Sequence, residues 1–201
     1  MNSRTISAFV LVLVVGLAAG YGAGSMTHFE GQFMPGAARV VNLDVIPDWG
    51  GFGYSAFVIP SHVNETTPRH ATSSSPPGPN DNNITVPMGV SVTFVITNLD
   101  PTVSEIFAGP ASTDFTIYND TEGGYVALHY IQGQSMNTPI GHTFTITSLN
   151  INIPLPPDTI VTFTHTFITP GVFEYVCLVS GCGAGMNLLG YMDGYLTVTS
   201  S

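Results

Sequence analysis

The sequence predicts an all-β domain built as an antiparallel sandwich, on three observations. Apolar residues alternate with Thr and Ser in several separate segments, and Pro and Gly punctuate the chain between them. Beyond residue 25, no stretch keeps a helical period for three turns. Period-two alternation marks half-buried strands, and strands at short, regular spacing with turn residues between them assemble as a sandwich or barrel.

The elements follow in order. Residues 6–23 are uncharged and mostly Val, Leu, Ala and Gly, just after Arg4. That length lies between a signal-peptide core and a short spanning helix. Residues 1–25 are therefore expected to be a signal peptide or a membrane-anchoring helix, with the remainder exported to the extracellular or periplasmic side. Three Asn-x-Ser/Thr sequons, at Asn64, Asn83 and Asn119, agree with that location. Residues 40–46 and 54–59 read as early strands, and residues 60–83 as a Pro/Ser/Asn-rich surface loop. Residues 26–83 are expected to pack on the sandwich, and residues 84–201 to form the domain proper.

Alternation is sharpest from Val90 onward. Val90, Val92, Phe94 and Ile96 share one face, with Ser91, Thr93 and Thr97 on the other. Val161, Phe163, His165 and Phe167 alternate with Thr162, Thr164 and Thr166. Phe173, Tyr175 and Cys177 follow the same rule, and Leu196 and Val198 close the chain.

At 201 residues and 44% hydrophobic composition, the chain can bury one sizeable core. Its cations are three arginines, Arg4, Arg39 and Arg69, against 13 acidic residues, for a net charge of −10. So few cations exclude nucleic acid as a partner, because phosphates must be neutralised by Arg and Lys.

The chemistry concentrates near the C-terminus. Cys177 follows His142 by 35 positions, and Cys182, Met186 and Met192 come after it in one short glycine-rich loop. An imidazole, two thiols and two thioethers form a soft ligand set of the kind that selects copper over magnesium or calcium. Each piece also has a plain reading. His142 shares a face with Phe144 and Ile146 and can be a hydrogen-bonded core histidine. In an exported chain Cys177 and Cys182 can close a disulfide, and Met186 and Met192 can fill core gaps. His165, on an apolar strand face without a partner motif, reads as structural; His28, His62, His70 and His129 read as solvent-facing. Asp114, Glu122 and Glu174 show no paired arrangement for acid–base catalysis.

Two stretches resemble a known family. Residues 84–98, Ile-Thr-Val-Pro-Met-Gly-Val-Ser-Val-Thr-Phe-Val-Ile-Thr-Asn, look like the early core strand of a cupredoxin. Residues 142–198 resemble the copper-binding domain of cytochrome oxidase subunit II, whose pattern includes Cys-x3-Cys-Gly-x-x-His-x-x-Met. Here the corresponding segments are His142-Thr-Phe, Ile153-Pro-Leu-Pro-Pro, Pro170-Gly-Val-Phe and Cys177-Leu-Val-Ser-Gly-Cys182-Gly-Ala-Gly-Met186. The chain departs from that pattern twice: the cysteines are 5 apart, one more than in the family, and Met186 stands where the family has its second histidine. Met192-Asp-Gly-Tyr-Leu-Thr-Val resembles the axial methionine leading into the last cupredoxin strand.

The resemblance implies a Greek-key, cupredoxin-like sandwich and an exported copper-binding electron-transfer protein with one or two copper ions. His142, Cys177 and Met192 are its implied ligands, with Cys182 and Met186 completing a variant binuclear (CuA-like) or a mononuclear centre. Phe144, Phe173, Tyr175 and Leu189 would restrict water. The chain would then be an electron carrier rather than a catalyst, unless it works within an oxidase complex. It would dock through a small apolar patch to a redox partner protein, a membrane oxidase being one candidate, and touch the membrane through an uncleaved N-terminal segment. Two other classes are open: a copper-bearing subunit of a membrane terminal oxidase, or a metal-free adhesive or structural cell-surface sandwich with a Cys177–Cys182 disulfide.

Overall fold

The computed structural model describes residues 39–48, 54–60, 82–121, 124–180, 182 and 191–200. Residues 1–25, expected to be a signal peptide or anchor, and nearly all of residues 60–83, expected to be a surface loop, lie outside these residues. The first strands are β1 (Arg39–Ile46), β2 (Ala56–Val58), β3 (Ile84–Pro87), β4 (Ser91–Asn98), β5 (Glu105–Pro110), β6 (Phe115–Thr121) and β7 (Gly124–Tyr130). Then come β8 (Ser135–Ile140), β9 (His142–Ile146), β10 (Ile151–Leu155), β11 (Thr159–Thr166), β12 (Gly171–Val176) and β13 (Asp193–Thr199). A 3-10 turn, Thr147–Leu149, separates β9 from β10. No helix among them is long and apolar enough to cross a membrane.

One sheet has the order β2-β1-β4-β11-β6-β7, a second β10-β9-β12-β13-β3, and a small third β5-β8. The predicted cupredoxin-like sandwich is therefore the fold observed, with one refinement. The sheets are mixed: β1 runs parallel to β4 and β3 parallel to β13, while the other pairings among the described residues are antiparallel. Alternation reports which face of a strand is buried, not the direction of its neighbour, so the parallel pairs left no mark in the pattern.

The alternating segments become strands for the expected reason. In β4, Val92, Phe94 and Ile96 are fully buried, while Thr93 faces outward and its hydroxyl meets that of Thr164 at 3.0 Å. Phe94 lies directly opposite Phe163 of β11, and their rings stack with centroids 4.7 Å apart. Opposed pairs of this kind are the unit of sheet stabilisation. From the other sheet Phe144 of β9 reaches both rings, each at 5.7 Å, and packs on Tyr175 of β12 at 4.9 Å. The core is this aromatic column between the two sheets.

Two strands depart from simple alternation. All five residues of β9 are buried, because Thr143 and Thr145 spend their hydroxyls inside. Thr143 Oγ1 accepts the Leu178 N–H at 2.9 Å, and Thr145 Oγ1 meets Asn152 Oδ1 at 2.9 Å. In β7, residues 124–129 are all exposed; this edge strand projects past the core.

Tyr175 is the most tightly held core side chain. Its ring also meets Phe57 at 5.5 Å, and its hydroxyl donates to the Asn82 carbonyl. Burial, reinforced by the nearby Asp193 charge, pushes the phenol well above its ordinary pKa, so it stays a donor. The chain passes over this ring at Gly194, where a Cβ would lie 2.4 Å from the ring carbon Cζ and from the hydroxyl oxygen. A pinned ring cannot retreat, and overpacking of this sort costs about 1–3 kcal/mol. Gly194→Ala is expected to lower the unfolding free energy by that amount, read as a lower urea midpoint at unchanged m-value; an unchanged midpoint would show that the ring has room to move.

Candidate metal centre

The strand that carries Phe144 into the core begins with His142, and the strand that carries Tyr175 runs directly into Cys177. Both new side chains lie at the same end of the sandwich. The Cys177 N–H donates to the Met192 carbonyl at 2.9 Å, continuing the β12–β13 ladder by one residue. The Cys182 N–H turns back to the Val179 carbonyl at 2.9 Å. His142, Cys177, Cys182 and Met192 are all buried.

The side chains converge. His142 Nδ1 is 3.2 Å from Cys182 Sγ and 3.8 Å from Cys177 Sγ. Among the described residues, His142, Cys177 and Cys182 are the group whose donor atoms all fall within 4.8 Å of one another. In this structure Cys177 and Cys182 are joined as a disulfide. Of the remaining sequence candidates, Met192 is fully buried and paired through its backbone with Cys177. Met186 and Leu189 lie outside the described residues.

The centre has a member that sequence reasoning missed. Asp100, just beyond β4, accepts a hydrogen bond from His142 Nε2 at 2.9 Å on Oδ2. Ser55 Oγ donates to the same oxygen at 2.7 Å, and the Thr102 N–H donates to Oδ1 at 2.9 Å. Burial alone would raise the Asp100 carboxyl, but the hydrogen bonds from His142, Ser55 and Thr102 outweigh it and hold it well below the usual carboxylate range. The available signal was the run Asn98-Leu-Asp100-Pro at the exit of an apolar strand, which reads as no more than a turn. Its meaning depends on a partner 42 residues away.

Asn98 holds Asp100 in place. The Asn98 amide donates to the carbonyls of Leu155, at 3.1 Å, and Pro156, at 2.8 Å, while its Oδ1 accepts the Asp100 N–H at 3.1 Å. The other described histidines lie elsewhere: His129 is exposed on β7 beside Thr116, and His165 is half-buried with its ring against Phe167, its pKa lowered by burial. His28, His62 and His70 lie outside the described residues.

No protein-family model and no curated protein matches this chain. Among solved structures, the periplasmic domain of cytochrome oxidase subunit II (CoxB) of Bradyrhizobium japonicum aligns at 13% identity over 84% of this chain and 89% of its own, with a TM-score of 0.39. The copper protein rusticyanin aligns at 14% identity over 84% of this chain and 86% of its own, with a TM-score of 0.31. A multi-copper oxidase from Pediococcus acidilactici aligns at 9% identity over 88% of this chain, with a TM-score of 0.39; this chain spans 28% of that protein's length. At such scores the chemistry of the centre is read from its own side chains.

Those side chains fit a soft metal ion in one oxidation state of the cysteine pair. With the disulfide closed, the sulfurs are poor ligands and only the imidazole nitrogen is a good one. With it reduced, two thiolates and Nδ1 meet in a buried pocket, a donor set suited to copper. Two thiolates buried beside an ionised carboxylate also require a cation or protons to offset their charge.

The Asn98 clamp can be tested separately from any metal. Asn98→Ala leaves the buried Asp100 N–H without its partner, while the Leu155 carbonyl keeps the Gly141 N–H at 3.2 Å and the Pro156 carbonyl keeps the Thr159 hydroxyl at 2.8 Å. One unsatisfied buried group costs about 1–3 kcal/mol. We expect a stability loss of about 2 kcal/mol by urea unfolding; a loss under about 1 kcal/mol would mean that water or the backbone replaces the amide.

Proposed function

We propose that this chain is an exported, cupredoxin-like copper-binding protein that carries electrons through a centre built on His142, Cys177, Cys182 and Met192, with Met186 from the same loop. The observation that carries the reading is the orientation of His142. Its Nε2 is engaged by a buried carboxylate, and its other nitrogen points at two sulfurs. A core histidine filling space would have no reason to aim a free lone pair at a cysteine pair.

Copper, when bound, would supply one-electron redox chemistry between its two common oxidation states. The chain supplies the rest. β9 and β12 are held rigidly by the aromatic column, so donor positions change little between those states. Phe144 and Tyr175 exclude water from beneath the centre, and Met192 brings a weak thioether to tune the potential. Leu178, next to Cys177, is 56% exposed and offers an apolar contact point for a redox partner. The low cation content argues against strong electrostatic steering of that partner. The likeness of residues 142–198 to oxidase subunit II makes a membrane terminal oxidase the first partner to test, by co-purification with a haem-bearing subunit. In this reading the N-terminal segment directs export or anchoring.

The disulfide supports a second reading, a metal-free structural sandwich at the cell surface stapled by Cys177–Cys182. The two readings separate on one preparation. After reduction and addition of copper, the first predicts a thiolate-to-copper absorption band and a paramagnetic signal, both lost in Cys177→Ala. The second predicts a native mass two protons below the reduced chain, no bound metal, and no copper band after reduction. A copper signal that survives in Cys177→Ala would overturn the ligand assignment.

A further inference from the structure

The carboxylate behind His142 does more than complete a hydrogen bond. Three donors converge on Asp100: Ser55 Oγ and His142 Nε2 on Oδ2, at 2.7 and 2.9 Å, and the Thr102 N–H on Oδ1 at 2.9 Å. An ionised carboxylate only accepts. Nε2 must therefore carry the ring proton, and Nδ1, 3.2 Å from Cys182 Sγ, is left with its lone pair. In the disulfide form neither sulfur bears a proton, so nothing on the sulfur side competes with Asp100 in setting the tautomer.

A backbone carbonyl in the same place would fix the tautomer equally well, and burying it would cost far less than burying a charge. What a carboxylate adds is negative charge. A hydrogen bond from imidazole to carboxylate raises the basicity of the ring's other nitrogen, and a fixed anion nearby favours the more highly charged state of a bound ion.

We propose that Asp100 is a positioning residue for the centre: it locks His142 as the Nε2–H tautomer with Nδ1 aimed at the sulfur pair, and its charge biases the bound copper toward the oxidised state. The second half of this statement rests on the copper reading; the first does not. Ser55 and Thr102 serve to keep the carboxylate oriented, and Asn98 anchors the backbone that bears it.

The experiment has two arms. In the metal-free disulfide form, 15N shifts of the His142 ring should show the proton on Nε2 in the wild type and in Ser55→Ala. Asp100→Asn, isosteric but uncharged, should show mixed or reversed tautomers, because an amide can accept or donate at that position. In the reduced, copper-loaded form, Asp100→Asn should weaken copper binding by about 10–100-fold. It should also lower the ratio of Cu(II) to Cu(I) affinity by about tenfold, read as a rise in potential of about 59 mV. Should Asp100→Asn not fold, Asp100→Ser, which leaves room for a water, gives the same readouts.

A wild-type tautomer and an unchanged affinity ratio in the charge-removed variant would overturn the proposal. Failure of the copper reading is a different result. A reduced wild-type chain that takes up no copper removes the proposed function and, with it, the bias on oxidation state. The ring tautomer of the metal-free protein then still decides whether Asp100 positions His142.

Discussion

The contact between Phe144 and Tyr175, 4.9 Å between ring centroids, is what the rest of the centre depends on. β9 and β12 are antiparallel, with Val176 opposite Thr145, and side chains on one face of a strand recur every second residue. Moving from Phe144 back to His142 and from Tyr175 forward to Cys177 is the same step toward the same end of the sheet. Whatever fixes the two rings also fixes the imidazole and the thiol. The rings are fixed by Phe94, Phe163 and Phe57, which reach across from the other sheet. Core packing and site geometry are thus one constraint expressed at successive positions along two strands.

At the end of the sandwich the interior changes character. Asn98, Asp100, His142, Thr143 and Thr145 are all buried, and each has a hydrogen-bond partner. Buried polar groups cost little only when satisfied, and here the satisfaction runs in series. Asn98 grips two carbonyls and the Asp100 amide, Asp100 grips the ring of His142, and the ring faces the sulfurs. On the other side Thr143 holds the Leu178 amide, immediately after Cys177. Ligand strand and cysteine loop are therefore tied together by the polar chain as well as by the aromatic one.

Much of this was legible in the sequence, and what was not has a physical reason. β4, β11, β12 and β13 were readable because one face of each is buried against the column, so apolar residues at every second position carry the signal. β7 was unreadable because both of its faces are exposed. The burial of Thr143 and Thr145 in β9 left no mark, since a buried threonine looks like an exposed one until its partner is known. The sulfur and imidazole of the centre were legible through residue type and spacing. Asp100 was not, because an Asp before a proline at a strand exit is ordinary turn chemistry, and only the tertiary fold shows that it faces His142.

The same geometry accommodates the disulfide and a metal-bearing dithiol, and the reason lies in how the two cysteines are held. Cys177 is a continuation of a strand, its N–H paired with the Met192 carbonyl, so it does not move without dragging β12 and β13. Cys182 follows a turn closed by its own N–H on the Val179 carbonyl, and on that turn Ser180 reaches Glu105 Oε2 through its N–H at 3.5 Å and its hydroxyl at 3.3 Å. Cys177 is thus held by the sheet and Cys182 by its turn, while His142 is oriented by Asp100. Met192 lies opposite Cys177, joined to it through the backbone and fully buried. In the proposed copper site the sandwich would therefore set the positions of the imidazole and the Cys177 sulfur, with Cys182 completing the group from its turn.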